Sequence, residues 1–132
     1  MLIIQNGYEC DYEMKLFYKL YFDMNEDIYV YSNFEYKDKV INVYTEIIYN
    51  GDTYFDDFYY DFDTENQKAQ FIKKIFTASC TKSFCHAAEK IKHINLPWGV
   101  MCGIRPAKIV RELMEEGHSD SEVVEILKKI YE

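Results

Sequence analysis

The cysteines and histidines are the residues whose spacing would most readily reveal a chemical site. Cys80 and Cys85 stand five residues apart, with His86 next to the second thiol. A zinc site normally uses close C-x-x-C pairs and an iron–sulfur cluster needs three or four clustered thiolates, and neither spacing is present. We therefore interpret the cysteines as reduced structural thiols. The three histidines form no H-x-x-x-H pair and are interpreted as helix-surface residues.

Acidic residues crowd the run YFDDFYYDFD, residues 54–63. Paired carboxylates can perform acid–base catalysis, but a glycosidase pair must also lie about 5 to 10 Å apart in a cleft. The acids here alternate with aromatic residues, which is typical of a strand with one solvent-facing side. We favour that interpretation, and a cation site built from these acids stays open as the alternative.

The loop LPWGVMCGIRPAK, residues 96–108, is the strongest candidate for a binding role. It contains both prolines, the only tryptophan and two of the five glycines. The glycines match neither G-x-G-x-x-G nor a Walker A motif. The loop nevertheless leads into a predicted helix N-terminus, where free N–H groups favour an anion. The candidate contact residues are Trp98, Gly99, Gly103, Arg105, Pro106 and Lys108.

A purely structural interpretation of the same loop is also open. Pro97 would end one helix, Trp98 would fill the core, and Pro106 would occupy the first turn of the next helix, where its missing N–H costs nothing. Arg105 is the residue that this interpretation leaves unexplained, because a cation is unfavourable at a helix N-terminus. Its position favours an anion or an acidic partner.

The elements that must position these residues follow from hydrophobic periodicity and turn signals. LIIQNG predicts a short strand, and Met14, Phe17, Tyr18 and Tyr21 recur at helical spacing. Three β-prone runs follow at residues 27–36, 39–49 and 52–62, and Asn50-Gly51 between the last two predicts a tight hairpin. The sequence therefore predicts an antiparallel meander preceded by a strand and a helix.

Helical patterns occupy the second half of the chain. TENQ, from Thr64, predicts a capping box that opens a helix of residues 65–93, with a possible kink at the weak helix former TASCTKS. A second helix is predicted at residues 106–116, with Gly117 just past its end. SDSE, from Ser119, predicts the capping box of a last helix. The whole chain is thus predicted to be one α+β domain, residues 1–132, in the order β-α-β-β-β-α-α-α.

Composition and charge narrow the classes of function. Residues 1–66 carry 15 acids and 4 bases, whereas residues 67–132 carry 8 acids and 11 bases. An acidic first half disfavours nucleic acid as a partner, since phosphate contacts need a cluster of Lys and Arg. The N-terminus has no secretory signal and no apolar run is long enough for a membrane helix, so we expect no membrane partner and a cytoplasmic location.

The segment LPWGVMCGIRPAK resembles the LPWG…TG(I/V)RPTKL segment of HemZ-type oxygen-independent coproporphyrinogen III oxidase-like proteins, also called coproporphyrinogen dehydrogenases. The shared residues are Leu96, Pro97, Trp98, Gly99, Gly103, Ile104, Arg105, Pro106 and Lys108. The sequence departs at Cys102 and Ala107, where that family usually has threonine. Upstream of this segment only the general β-α-β-β-β layout is similar.

The resemblance implies a radical-SAM enzyme of porphyrin and haem biosynthesis, which decarboxylates coproporphyrinogen III oxidatively to protoporphyrinogen IX. Such enzymes hold a 4Fe–4S cluster through C-x-x-x-C-x-x-C and bind S-adenosylmethionine, and this chain lacks that cysteine spacing. The resemblance therefore implies an N-terminal accessory domain without catalytic, cofactor or metal residues of its own. Its implied partners are a radical-SAM domain downstream of residue 132 and the porphyrinogen substrate.

Two other functions remain open from the sequence. The chain is alternatively a stand-alone module that binds a small anion or an acidic partner at the Arg105 helix terminus. The aromatic strands also suit an RNA-binding α+β module, although their acidic residues argue against it.

Overall fold

Four strands and two helices make up the part of the chain that the structure describes. The structure is a computed structural model, and it describes residues 2–23, 25–93, 116, 117, 119 and 122. The elements are β1 (Leu2–Asn6), α1 (Asp11–Tyr21), β2 (Ile28–Lys37), β3 (Val40–Tyr49), β4 (Asp52–Asp61) and α2 (Ala69–Lys92). This order confirms the predicted α+β class and the predicted order of the first six elements.

The strands form one mixed sheet in the order β1-β2-β3-β4. β2, β3 and β4 pair antiparallel, which confirms the meander, while β1 pairs parallel to β2 across the α1 crossover. Asn50 and Gly51 have φ values of 52° and 84°, as the tight hairpin requires at its two central residues. The polar turn at Asp38 and Lys39 has the same geometry, with φ values of 53° and 61°.

α1 is amphipathic in the predicted way. Met14, Phe17, Tyr18 and Tyr21 are all buried, because their spacing places them on the face of α1 that meets α2 and the core. Tyr21 packs edge-on against Phe84 of α2, with 6.2 Å between the ring centroids. Burying these large side chains is what holds the crossover helix in place.

α2 runs without interruption through the segment where a kink was predicted, residues 77–83. That prediction was wrong because tertiary packing outweighs helix propensity there. Apart from the buried Lys82, the side chains of this segment are small and buried, so the helix lies close to the sheet. Their hydroxyl groups are satisfied within the fold: Ser79 donates to the carbonyl of Ile75 at 2.7 Å, and Ser83 donates to the carbonyl of Val43 in β3 at 3.3 Å.

The start of α2 also differs from the prediction. The helix begins at Ala69 rather than after Thr64, and Thr64 makes no capping hydrogen bond to it. The carbonyl of Thr64 instead accepts a turn hydrogen bond from the N–H of Gln67 at 3.2 Å, and its own N–H donates to the hydroxyl of Tyr36. A carboxylate oxygen of Glu116 accepts from the N–H of Lys68 at 3.1 Å, at the N-terminal end of α2.

Two described positions near the C-terminus have the local geometry that their predicted roles require. Gly117 has a φ of 88°, the left-handed conformation expected just past a helix end. Ser119 and Glu122 make the two reciprocal hydrogen bonds of a capping box, at 3.1 and 3.3 Å. The helices predicted at residues 106–116 and after the capping box lie outside the described residues.

The turn after β1 depends on a glycine. Gly7 has a φ of 89°, and a Cβ at this position would lie 2.0 Å from the carbonyl oxygen of Phe34. We expect Gly7→Ala to lower the free energy of unfolding by about 3 kcal/mol or more, because the backbone of β2 would have to move. The measurement is equilibrium unfolding in urea.

Gly51→Ala is the matched control for this prediction. Gly51 also has a positive φ, of 84°, but a Cβ there would meet no atom within 4 Å. Its substitution should therefore cost only the left-handed backbone penalty, about 1 to 2 kcal/mol. Equal losses for the two variants would show that the contact with Phe34 does not matter.

Candidate functional site

The six loop residues predicted from the sequence to make contacts lie outside the described residues. They are Trp98, Gly99, Gly103, Arg105, Pro106 and Lys108. The anion site at Arg105 and the interdomain role of this loop therefore stay predictions. The described residues offer a different candidate, which the sequence predictions did not single out.

This candidate is the face of the sheet that α1 and α2 leave uncovered, here called the open face. Alternate residues of β2 and β3, such as Val30, Val43 and Ile47, are buried on the side of the sheet that the helices cover. Their neighbours along each strand point to the other side. Several of those neighbours are apolar and exposed: Tyr29 is 51 % exposed and Ile48 is 40 % exposed, and Phe55 on the same side of β4 is 53 % exposed. Large apolar side chains on one continuous surface are typical of an interaction site.

Strand register brings these side chains together at one end of the open face. Leu2, Tyr29 and Ile48 form one row across β1, β2 and β3. The next row runs through Ile4, Tyr31 and Glu46 to Phe55 of β4. Neighbouring rows are about 7 Å apart along a strand. We call this cluster the apolar end: Leu2, Ile4, Tyr29, Tyr31, Ile48 and Phe55.

The other end of the open face is acidic. Glu35 of β2 and Asp57 and Asp61 of β4 lie on it, and we call these three residues the acidic end. All three are exposed. Lys37 is the basic side chain that the described strands place on this face, and Nζ of Lys90 from α2 lies 5.2 Å from the centroid of the Phe55 ring. The open face thus changes along the strands from apolar to anionic.

Hydrogen bonds hold the carboxylates of the open face in position. The hydroxyl of Tyr59 donates to Asp57 at 3.2 Å, and the side-chain amide of Asn42 donates to the other oxygen of Asp57 at 2.7 Å. The hydroxyl of Tyr44 donates to Glu46 at 3.1 Å. The negative charge of Asp57 raises the pKa of Tyr59, and desolvation followed by the bond to Glu46 raises the pKa of Tyr44. Both phenols therefore remain neutral hydrogen-bond donors at physiological pH.

The charge of the open face decides which ligands suit it. Aromatic side chains on a sheet can stack on nucleic acid bases, and Tyr44 and Phe55 already lie nearly parallel, with 6.0 Å between ring centroids. A polyanion would also need basic side chains for its phosphates, whereas Glu35, Glu46 and Asp57 would repel them. The face is therefore better suited to a protein surface than to RNA.

The acids of residues 54–63 divide between the two faces of β4. Asp57 and Asp61 lie on the solvent-facing side, as the sequence interpretation requires. Asp56 instead points toward α2, where its Oδ1 lies 3.5 Å from Nδ1 of His86. The ring of His86 meets the ring of Phe58 at a steep angle, with 6.4 Å between centroids. The interpretation of His86 as a helix-surface residue is consistent with its partial exposure.

The cysteines of the described ranges are free and buried, and the reduced state of Cys80 and Cys85 stays a prediction. Gln5 holds Cys10, since its side-chain oxygen accepts from the Cys10 N–H at 2.9 Å. A hydrogen bond with the thiol of Cys80 lowers the pKa of Cys10, and the same contact together with burial raises the pKa of Cys80. Among the described residues, no three His, Cys, Asp or Glu side chains gather into a metal-binding group.

An ion pair connects the C-terminal end of α2 to the segment before β2, close to Tyr49. Nζ of Lys92 lies 2.9 Å from Oε1 of Glu26, which also accepts from the hydroxyl of Tyr49 at 3.0 Å. The ammonium group stands over the ring of Tyr49, 5.4 Å from its centroid. The bond from Lys92 lowers the pKa of Glu26, and the bond to Glu26 raises the pKa of Lys92.

Comparison of the chain with protein-family models, curated proteins and solved structures found no match. Within the described ranges, no helix combines the length and the hydropathy needed to cross a lipid bilayer.

The Glu26–Lys92 pair predicts a defined pH dependence of stability. A carboxyl whose pKa is lowered by folding stabilises the protein above its unfolded value, near 4.3, and this contribution is lost as the pH falls through the lowered value. We expect Glu26→Gln to reduce the melting temperature by about 2 °C at pH 7. The difference from the wild type should shrink as the pH falls below about 4.3 and through the lowered pKa of Glu26, because the wild-type carboxyl then also becomes neutral.

The raised pKa of Lys92 sets the upper pH limit of the stabilisation by the Glu26–Lys92 pair. Its contribution is present below about pH 10.4 and is lost as the pH rises through the raised value. Differential scanning calorimetry across the pH series measures both limits. Glu35→Gln, at an exposed site, is the control and should follow the wild type at each pH. A Glu26→Gln deficit that is constant from pH 7 to pH 3 would contradict the assignment.

Proposed function

We propose that this chain is an interaction domain that docks through its open face onto a protein surface, as the N-terminal accessory domain of a radical-SAM enzyme. The enzyme would be of the HemZ-type coproporphyrinogen III oxidase-like class. The observation that carries the docking role is the apolar end of the open face, where six large apolar side chains lie side by side and solvent-exposed.

The physical reason is that removing apolar surface from water lowers the free energy. Covering such side chains yields roughly 25 cal/mol for each Å² removed from water. An exposed sheet face with this composition is also an aggregation hazard unless another surface covers it. Strand pairing already fixes the backbone that carries Tyr29, Tyr31 and Ile48, so docking on this surface costs little backbone entropy.

The enzyme class is supported by the sequence resemblance of residues 96–108. In this proposal, the cluster and S-adenosylmethionine are held by a separate radical-SAM domain in the cytoplasm, and oxidative decarboxylation of coproporphyrinogen III takes place there. The role of the present chain is to cover and orient that domain. Trp98, Arg105 and Lys108 would contribute to the contact through the loop, alongside the open face.

The test of this proposal uses the full-length gene product that contains residues 1–132. Its downstream reading frame should encode C-x-x-x-C-x-x-C, and the purified protein should bind a 4Fe–4S cluster and convert coproporphyrinogen III anaerobically. A variant with Tyr31→Thr, Ile48→Thr and Phe55→Thr should lose at least tenfold in activity and melt at lower temperature. Trp98→Ala and Arg105→Ala should each reduce activity or melting temperature.

Tyr12→Ser is the matched control, because Tyr12 is 72 % exposed on α1, away from the open face. It should leave both activity and melting temperature unchanged. Threonine keeps the β propensity of the substituted strand positions, so that the triple variant tests the surface rather than the strands. A full-length protein without the cysteine motif would overturn the enzyme class. Unchanged activity and stability of the triple variant would overturn the docking role.

A further inference from the structure

We infer that the surface that docks on the open face has an apolar centre with Lys or Arg side chains on one side of it, about 7 to 20 Å away. This inference rests on the proposed docking function and specifies the chemistry of the partner. It follows from the separation of the apolar end from the acidic end along the same strands.

The distances come from the strand geometry. Phe55 belongs to the apolar end, and Asp57 follows it by two residues on the same side of β4. Asp61 lies four residues further along, so the two carboxylates are about 7 and 20 Å from Phe55. Glu35 lies between these limits on β2, four residues beyond Tyr31. A partner aligned with the strands would meet apolar side chains first and carboxylates next.

The carboxylates of this face are already oriented to accept hydrogen bonds from cationic side chains. Tyr59 and Asn42 each donate one hydrogen bond to Asp57, which fixes its orientation and leaves further acceptor sites free. An arginine or lysine could then bind without reorganising the surface. Burying Asp57 or Glu35 against an apolar or acidic surface would leave an uncompensated charge, which is costly.

The same charges argue against the other occupants of the face. A second copy of the chain would bring the same carboxylates to the interface, and each chain has a net charge of -8. RNA would place its phosphates against Glu35, Glu46 and Asp57. A basic protein surface is the partner whose charge complements this face.

The experiment uses two synthetic 14-residue amphipathic peptides as probes, one of leucine and lysine and one of leucine and glutamate. Each is titrated into the ¹⁵N-labelled chain at 20 mM and 300 mM NaCl. We expect the lysine peptide to shift the amide signals of Tyr31, Ile48 and Asp57, with at least tenfold weaker binding at the higher salt concentration. The glutamate peptide should leave these signals unchanged.

Charge variants test where the lysine peptide binds. The variant with Glu35→Gln, Asp57→Asn and Asp61→Asn should bind it about tenfold more weakly. The matched control with Glu9→Gln, Asp11→Asn and Glu13→Gln removes the same charge on and just before α1, and its affinity should stay within twofold of the wild type. Equal losses in both variants would mean that only net charge matters and would overturn the inference.

Three further outcomes would overturn the inference. One is binding of both peptides to the open face with equal, salt-insensitive affinity, which would leave the docking function in place with an apolar partner. Another is a dimer, detected by sedimentation, that Tyr31→Thr disrupts. The third is binding of oligouridylate to Tyr31 and Phe55. The docking function is tested separately, by the activity and stability of the full-length triple variant. A failure of the docking function can therefore be told apart from a failure of the inferred partner chemistry.

Discussion

The close packing of α2 on one face of the sheet is the constraint on which the other features depend. Its central segment, residues 77–83, is buried and, apart from Lys82, has small side chains, so the helix lies near the sheet. The hydroxyls of Ser79 and Ser83 in this segment donate to carbonyls of α2 and β3. Phe84 and Tyr21 then bring α1 against the same helix. Because both helices lie on one side of the sheet, one face of the sheet is buried and the other is exposed to solvent.

This one-sided arrangement explains the character of the open face. The core-facing positions of β2 and β3 are mostly apolar, whereas their other positions mix large apolar residues with polar ones such as Glu35 and Glu46. In the described part of the chain only one face is covered, so Tyr29, Tyr31 and Ile48 are left exposed. In the proposed docking role, the partner covers these apolar side chains, and the acids of β4 limit the charge that this partner can carry.

Local signals predicted the elements well where backbone geometry is decisive. Asn50-Gly51 specified its hairpin because both central residues adopt positive φ, and the spacing of Met14, Phe17, Tyr18 and Tyr21 specified the buried face of α1. Propensity failed for α2, whose weak helix formers are stabilised by the sheet, and for Thr64, which is engaged with Tyr36 and Gln67 instead of capping the helix. The candidate loop at residues 96–108 remains a prediction from sequence.

The sequence by itself determined the order of the first six elements, the turns and the excess of acid in the first half. It also showed large apolar residues at alternate positions of the strands, but their pattern does not say which side of the sheet is covered. Only the tertiary structure decided that, because strand register aligns side chains from four separate segments and α2 selects one face. The separation of the apolar end from the acidic end follows from that register, because the residues of the two ends come from four different strands.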